Sequence, residues 1–452
     1  MIIQSYFGHI YLPANDDFQL IKGVQLFKEE EKFWFKAPIS MGGSQQYNII
    51  NGAFTGFGEV TFIECNVIGS TIGCGGDEVN FGINYVISGI HIENEVDLNF
   101  SKLSVRMPAL KGWLKKTGFK NNLILHKTMS LELPDTIILG NFEKFSLEVT
   151  FGCNQNWNRE TGILLNEYVT LNIKSLNGNS TLWEFLEIYR KFKKFLAFIG
   201  VFDKSEDLFF LYDDSFNKEN GDFQEAVDFY MKSYNFKNSG LNGLKVPIFK
   251  EIENDIEEML KKWFTSVNLS DSIDLVLEKY FQTSLSRETY FLNSCFAIEI
   301  YHRRFKKNQR LPKADFKKIK DGIISKLNTP DEINLFENKL AYANEPSFKE
   351  RLESLKEDLL IILPLTIDKD NYIKQIVNTR NNIVHRSSSK NTLSGLDIYY
   401  ASVHLEALTK LCIYRELGFS QLHILKMFVN TREQIDGMYK LNKRLQTGIN
   451  KN

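Results

Sequence analysis

This chain of 452 residues is 43% hydrophobic and 25% charged and has a net formal charge of −1, which fits a globular protein with two or three domains. Its five cysteines are odd in number and scattered without a Cys-x-x-Cys pair, which argues against a structural zinc site and for a reducing compartment. Because the sequence has neither a secretory signal nor an apolar run long enough to cross a bilayer, we expect a soluble cytoplasmic protein without membrane association.

The first part of the chain reads as β-strands. Apolar and polar residues alternate with a period of two over 103–107, 145–151 and 169–174, the pattern of strands with one buried face. We therefore predict an antiparallel β-rich, sandwich-like domain over residues 1–175.

Helical signals begin after residue 175. Thr181 and Glu184 have the spacing of a capping box, which predicts the start of an aromatic-rich helix. We assign residues 176–247 to a helical connector, with residues 238–243 as the best linker candidate. From Glu251 onward a helical period dominates, so the fold class is α+β with an all-α domain over residues 248–445. Four prolines predict where these later helices are interrupted: Pro312, Pro330, Pro346 and Pro364.

Positive charge is concentrated in the helical half of the chain. Residues 301–330 carry ten basic and two acidic side chains, whereas residues 1–100 carry four basic and twelve acidic ones. Basic clusters bind phosphate backbones, although a solvated helix face has the same composition. The candidate RNA-binding residues of this block are Arg303, Arg304, Lys306, Lys307 and Arg310.

One segment late in the chain brings three reactive side chains onto one predicted helix. Residues 372–384 have a helical apolar period, and Arg380 lies in the middle of the apolar arc. A guanidinium in that position must find a partner or face a cleft, since burying it alone would be costly. Asn381 and His385 are four residues apart and can touch. A fixed positive charge, an amide and an imidazole suit RNA cleavage, although a structural histidine is the alternative.

A second charged residue lies at a position where helix packing favours an apolar side chain. Glu299 falls on the apolar arc of the helix predicted over residues 291–305. A pair between Glu299 and Arg380 across two packed helices would explain both misplaced charges. The alternative is a local surface pair between Glu299 and Arg303, four residues away. We favour the pair between helices and assign Glu299 an orienting role.

The segment 380–385, Arg-Asn-Asn-Ile-Val-His, resembles the Arg-polar-x3-His signature of HEPN domains, which are all-helical modules that include metal-independent ribonucleases. Together with residues 291–299 it resembles the HEPN domain of ApeA-like anti-phage defence proteins. The N-terminal half is similar to the β-rich domain that precedes HEPN in that family.

This resemblance implies an endoribonuclease that needs no cofactor and stops host growth in abortive infection. His385 would be the general acid and base, Arg380 would hold the phosphate oxygens, and Asn381 would orient the histidine or bind phosphate. Arg386 would add to the RNA-binding residues, and the products would carry 2′,3′-cyclic phosphate and 5′-hydroxyl ends.

The resemblance also implies partners. The expected substrate is RNA, with transfer RNA as one candidate, and an unidentified phage-derived trigger would act on residues 1–175. The expected assembly is a homodimer with a composite cleft, to which four apolar residues after the motif could supply an interface: Ile398, Leu405, Leu408 and Leu411. Two alternatives remain open, namely a catalytically silent scaffold that binds RNA or nucleotide, and a β-domain sensor supported by passive helices.

Overall fold

The computed structural model divides the chain into two compact units. The first comprises residues 1–193 and 203–235, and the second comprises residues 194–202 and 236–452. The residues that the structure describes are 3–14, 17–30, 32–40, 45–71, 77–122, 128–158, 160, 162–202, 205–213, 226–231, 249–282, 284–364, 367–386, 390–429, 432–433, 436–437 and 440.

The first six strands form an antiparallel sheet that closes on itself. They run in the order β6-β3-β2-β1-β4-β5, and β5 pairs again with β6 to complete the circle. Burial alternates along β3, where Phe33, Phe35 and Ala37 are buried, as the period of a strand requires. The strands are β1 (Gln4–Ala14), β2 (Asp17–Glu29), β3 (Lys32–Ala37), β4 (Gln46–Phe54), β5 (Gly58–Thr71) and β6 (Glu78–Ser88).

The sheet continues beyond β6 as an open extension with the strand order β16-β15-β8-β13-β12-β11. Two short pairs, β9 with β10 and β7 with β14, lie outside this sheet. The bounds are β7 (Asn99–Phe100), β8 (Lys102–Arg106), β9 (Phe119–Asn122), β10 (Thr128–Leu131), β11 (Ile137–Phe142), β12 (Phe145–Asn158), β13 (Gly162–Ser175), β14 (Ser180–Thr181), β15 (Leu208–Tyr212) and β16 (Ala226–Met231), with helix α1 (Pro108–Leu114) between β8 and β9.

Helix α2 (Leu182–Phe198) follows the predicted capping box. The backbone N–H of Thr181 donates to Glu184 at 3.1 Å, and the N–H of Glu184 donates to the Thr181 hydroxyl at 3.3 Å, so this start signal is confirmed. The segment 176–247, which we predicted to be a helical connector, is only partly helical in the structure. It also contains β15 and β16, because these short apolar segments find hydrogen-bond partners in the distant strands β8 and β6.

The second unit is helical from residue 249 onward. Helix α12 runs through its core, where α6 packs beside it, and α11 packs against α9 and α6. The helices are α3 (Phe249–Ile252), α4 (Ile256–Thr265), α5 (Ser270–Phe281), α6 (Arg287–Phe305), α7 (Lys313–Ile324), α8 (Pro330–Leu340), α9 (Phe348–Ser354), α10 (Lys356–Ile362), α11 (Lys369–His385) and α12 (Leu396–Leu417), followed by a helix over residues 421–429.

The predicted α+β class, with a β-rich region before a helical one, is confirmed. The strands predicted over 103–107, 145–151 and 169–174 are present as β8, β12 and β13, and helix boundaries fall at the four prolines. The domain boundaries after residues 175 and 247 stay predictions, and the linker candidate 238–243 lies outside the described residues.

The interface suggested for the residues after the motif is wrong. Their side chains lie in the core of the helical unit around α12, with exposed fractions of 9% or less: Ile398, Leu405, Leu408 and Leu411. An apolar arc on a helix shows that something covers it, but it does not show whether the cover comes from the same chain.

Candidate active site

Helix α11 is held firmly at its beginning and ends at the candidate histidine. The Asp368 side chain caps the first turn by accepting from the backbone N–H of Asp370 at 3.1 Å. Tyr372 and Ile376 anchor the buried face. The helix stops at His385 because the next residue, Arg386, adopts a left-handed conformation with φ of +53°.

Arg380 lies at the edge of the core, with 23% of its side chain exposed. Its Nη2 is 3.5 Å from Glu299 Oε2, and its Nη1 is 3.5 Å from Asn381 Oδ1. The rings of Phe296 and Phe348 lie 5.9 Å and 5.7 Å from the guanidinium, within the range of cation–π attraction. Both hydrogen bonds are long, and Nε, which is buried, has no partner among the described residues. Nη1 and Nη2 each carry two N–H groups and make one of these long bonds, so the two terminal nitrogens keep donors for another acceptor.

Glu299 connects two arginines. Its Oε2 faces Arg380 across helices α6 and α11, and its Oε1 lies 3.6 Å from Arg303 Nη2 on its own helix. The predicted pair between helices is present, and so is the local pair that was its alternative. Each carboxylate oxygen lies near one arginine, and the orienting role of Glu299 stays a prediction.

His385 is exposed at the C-terminal end of α11. No hydrogen bond or ion pair joins its ring to Arg380, Asn381 or any other side chain in the described part of the chain, which omits residues 387–389. The ring is thus free to meet a ligand from solvent. Five residues separate it from Arg380, which corresponds to about 7.5 Å along the helix axis.

Two family models match the chain. Residues 5–263 match ApeA N-terminal domain 1, and residues 292–422 match the Apea-like HEPN domain. The chain belongs to the ApeA-like family. It is therefore a defence-associated protein with a C-terminal HEPN domain, and the second match contains all four candidate catalytic residues: Glu299, Arg380, Asn381 and His385. No curated protein and no solved structure matches the chain.

Three of the predicted RNA-binding arginines of this ApeA-like protein are engaged in ion pairs, and Arg303 is one of them through Glu299 and Glu345. Arg304 pairs with Asp271 and also donates to a backbone carbonyl at 3.0 Å. Arg310 pairs with Glu350 and donates to the carbonyl of Ala343 at 3.0 Å. A phosphate would have to compete with a carboxylate at each of these positions.

Among the five candidate RNA-binding residues of the basic block, Lys306 and Lys307 are exposed and have no ion pair within the described residues. Lys306 Nζ lies 5.8 Å above the Tyr301 ring. Helix α6 ends at Phe305, so the block does not form one continuous helix face. Arg386 is also exposed and lies directly after the candidate histidine.

Sequence reasoning missed a buried group next to the site. Arg351 is 2% exposed, and its Nη1 lies 3.1 Å from Nδ1 of His302. Burial, together with the nearby positive charge of Arg351, lowers the pKa of His302 to about 4. Arg351 lies in a short helix whose charged sequence is typical of a surface segment. Its burial and its contact with His302 are therefore evident only from the three-dimensional packing.

Among the residues that the structure describes, no group of three or more His, Cys, Asp and Glu side chains is arranged to hold a metal ion. Within the same residues, no helix has the length and apolar character needed to cross a membrane.

Proposed function

We propose that this ApeA-like protein is a HEPN endoribonuclease that cleaves RNA by attack of the 2′-hydroxyl. The observation that carries the proposal is the state of Arg380. Glu299 and Asn381 orient it through two long hydrogen bonds, which leave donors on its terminal nitrogens for a phosphate. This guanidinium lies on the helix that ends at an exposed imidazole, that of His385. A phosphodiester bound between the two would meet a positive fork on one side and a proton acceptor on the other.

The reaction requires proton transfer and charge stabilisation. The 2′-oxygen forms a bond to phosphorus while the bond from phosphorus to the 5′-oxygen breaks, which leaves a 2′,3′-cyclic phosphate and a 5′-hydroxyl. His385 takes the proton of the 2′-hydroxyl, and Arg380 stabilises the negative charge that builds on the non-bridging oxygens. The leaving 5′-oxygen takes its proton from a second acid, and a homodimer would supply it as the His385 of the second copy.

This chemistry assigns different tasks to the two regions of the chain. The HEPN domain cleaves RNA, with transfer RNA as one candidate, and the β-rich region responds to a phage-derived trigger. Cleavage then halts host growth in the cytoplasm. Membership of a defence-associated family supports this assignment.

Incubation of the purified full chain with total cellular RNA tests the proposal. We expect cleavage that yields cyclic phosphate ends, and its loss in His385→Ala and in Arg380→Ala. His423→Ala and Arg415→Ala are matched controls, because both residues lie in the helical unit but take no part in the mechanism. Equal cleavage by all five proteins would exclude the mechanism. Activity that EDTA abolishes and magnesium restores would exclude the metal-independent route.

A silent HEPN scaffold is the second candidate, and one observation favours it. No hydrogen bond or ion pair orients the His385 ring within the described residues, whereas a general base is usually oriented by a partner. A scaffold would bind RNA or nucleotide and dimerise without using His385. Two results together would identify a scaffold. The His385→Ala variant would still bind RNA, and the wild-type protein would cleave no RNA either alone or with lysate from infected cells added.

A further inference from the structure

The candidate site is connected to the interior by a chain of alternating charges. It starts at Arg380 and Glu299, continues through Arg303 and Glu345, and ends at Arg351; we call these five residues the ion chain. Arg303 Nη2 lies 3.6 Å from Glu299 Oε1 and 3.3 Å from Glu345 Oε2. The same Glu345 oxygen lies 3.2 Å from Arg351 Nη2.

The inner end of the ion chain is fixed by a closed set of hydrogen bonds. Arg351 donates to Nδ1 of His302, so that nitrogen carries no proton and Nε2 carries it instead. Nε2 lies 2.8 Å from the Ser354 hydroxyl oxygen, and this hydroxyl donates to the backbone carbonyl of Arg351 at 2.7 Å. Apart from the buried Nε of Arg351, which has no partner among the described residues, each of these donors has an acceptor, and the low pKa of His302, about 4, keeps its ring neutral.

Arg303, in the middle of the ion chain, is shared by two carboxylates. Its side chain is 50% exposed, compared with 27% for Glu345 and 19% for Glu299, so it is the least confined member and can move between the two. Its contact with Glu345 is the shorter one. Arg303 thus contacts one oxygen of Glu299, and the second oxygen of Glu299 faces Arg380.

We propose that Glu345 and Arg303 are positioning residues for Arg380, acting through Glu299. This inference rests on the proposed ribonuclease function for its activity readout, but the geometry of the ion chain can be tested without it. Without the carboxylate of Glu345, Arg303 would form a two-pronged pair with Glu299, as guanidinium and carboxylate prefer. Glu299 would then turn away from Arg380, which would lose its orientation toward the phosphate.

The test compares Glu345→Gln in two backgrounds, wild type and Arg303→Met. Misplacing a catalytic group by about 1 Å costs up to a hundredfold in rate, so Glu345→Gln should slow cleavage at saturating RNA about tenfold to a hundredfold with KM changed less than about twofold. In the Arg303→Met background the competitor is absent, and the same substitution should change the rate less than about threefold. Glu353→Gln, which removes the surface partner of Lys349 on α9, is the matched control and should leave the rate unchanged.

A merely structural role would give a different pattern. If Glu345 only stabilised buried Arg351, its substitution would cost the same rate in both backgrounds, and that result would overturn the proposal. Loss of the Arg351 partner should lower the melting temperature in both backgrounds, so folding and positioning are separated by the two readouts.

Crystal structures of the two Glu345→Gln proteins test the geometry even if wild type cleaves no RNA. In Glu345→Gln alone, we expect Arg303 to contact both oxygens of Glu299 and Arg380 to lie beyond hydrogen-bond distance from Glu299. In the protein that also carries Arg303→Met, Arg380 should keep its contact with Glu299. An unchanged contact between Arg380 and Glu299 would refute the positioning role. Absence of cleavage by wild type, with the expected rearrangement in the crystal, would refute the ribonuclease function alone.

Discussion

Replacing the buried carboxylate of Glu406 should destabilise the helical unit. Glu406 lies on α12 and accepts from the Tyr290 hydroxyl on α6 at 2.5 Å, so it ties the helix that carries Glu299 to the core of the unit. Two ammonium groups pair with it: Lys279 contacts one oxygen, and Lys410 lies 3.1 Å from the other. Glu406→Gln keeps the shape but removes the charge that neutralises the buried Lys410 and the partly buried Lys279.

The size of the loss follows from the pKa of Glu406. Burial alone would raise it, but the charges of Lys279 and Lys410 lower it from the ordinary 4.5 to about 2. A shift of one pKa unit corresponds to about 1.4 kcal/mol, so the ionised form contributes about 3 kcal/mol. Breaking a buried pair costs a similar amount, about 3–5 kcal/mol.

Amide hydrogen exchange along α6 and α12 measures this loss within the helical unit. At neutral pH, protection of the slowest amides should fall about a hundredfold in Glu406→Gln, because about 1.4 kcal/mol is a factor of ten. Glu416→Gln is the matched control on the same helix; it accepts from one tyrosine hydroxyl at 2.7 Å and should change protection less than about tenfold.

The pH dependence gives a second check on Glu406. Because its pKa is lower in the folded protein, its contribution is complete above about pH 4.5 and is lost as the pH falls toward about 2. The difference between wild type and Glu406→Gln should therefore shrink over that interval. Equal protection of the two proteins at neutral pH, or a loss no larger than in Glu416→Gln, would refute this account of the buried pair.

Three further predictions concern the site and the assembly. Arg380→Lys keeps the charge but loses the fork that contacts Glu299, so the cleavage rate should fall about a hundredfold to a thousandfold; a fall of less than threefold in single-turnover assays would contradict the role of the fork. Lys306→Ala with Lys307→Ala should weaken binding of single-stranded RNA and reduce the slope of log affinity against log salt by about 0.7 per lost contact. Arg304→Ala removes an arginine that is already paired with a carboxylate, so it should change the slope less. Equal slopes in all variants would show that the two lysines do not contact RNA. Sedimentation should detect a dimer at micromolar concentration, and an active monomer would exclude the composite cleft.

The local features of the fold could be predicted because they depend on nearby residues. Residues 145–151 alternate between apolar and polar and form part of β12, and the Thr181–Glu184 spacing marks the start of α2. The contact between Glu299 and Arg380 could also be predicted, because two charges on apolar arcs each needed a partner.

Features that depend on distant contacts could not be predicted. The strands β15 and β16 have five and six residues, and their partners β8 and β6 lie more than a hundred positions earlier in the chain. Burial of Arg351 has the same origin, since it follows from the packing of α9 and not from its neighbours in sequence. The apolar residues of α12 gave the wrong interface because periodicity does not identify the covering surface.

The central claim is that Arg380 and His385 act together on one phosphodiester, and a double-mutant cycle on single-turnover RNA cleavage tests it most directly. Residues that work as a unit have non-additive effects. We predict that Arg380→Ala with His385→Ala cleaves no more slowly than the slower single variant. The claim would be contradicted if the rate loss of the double variant equalled the product of the two single losses. It would also be contradicted if either single variant cleaved RNA at the wild-type rate.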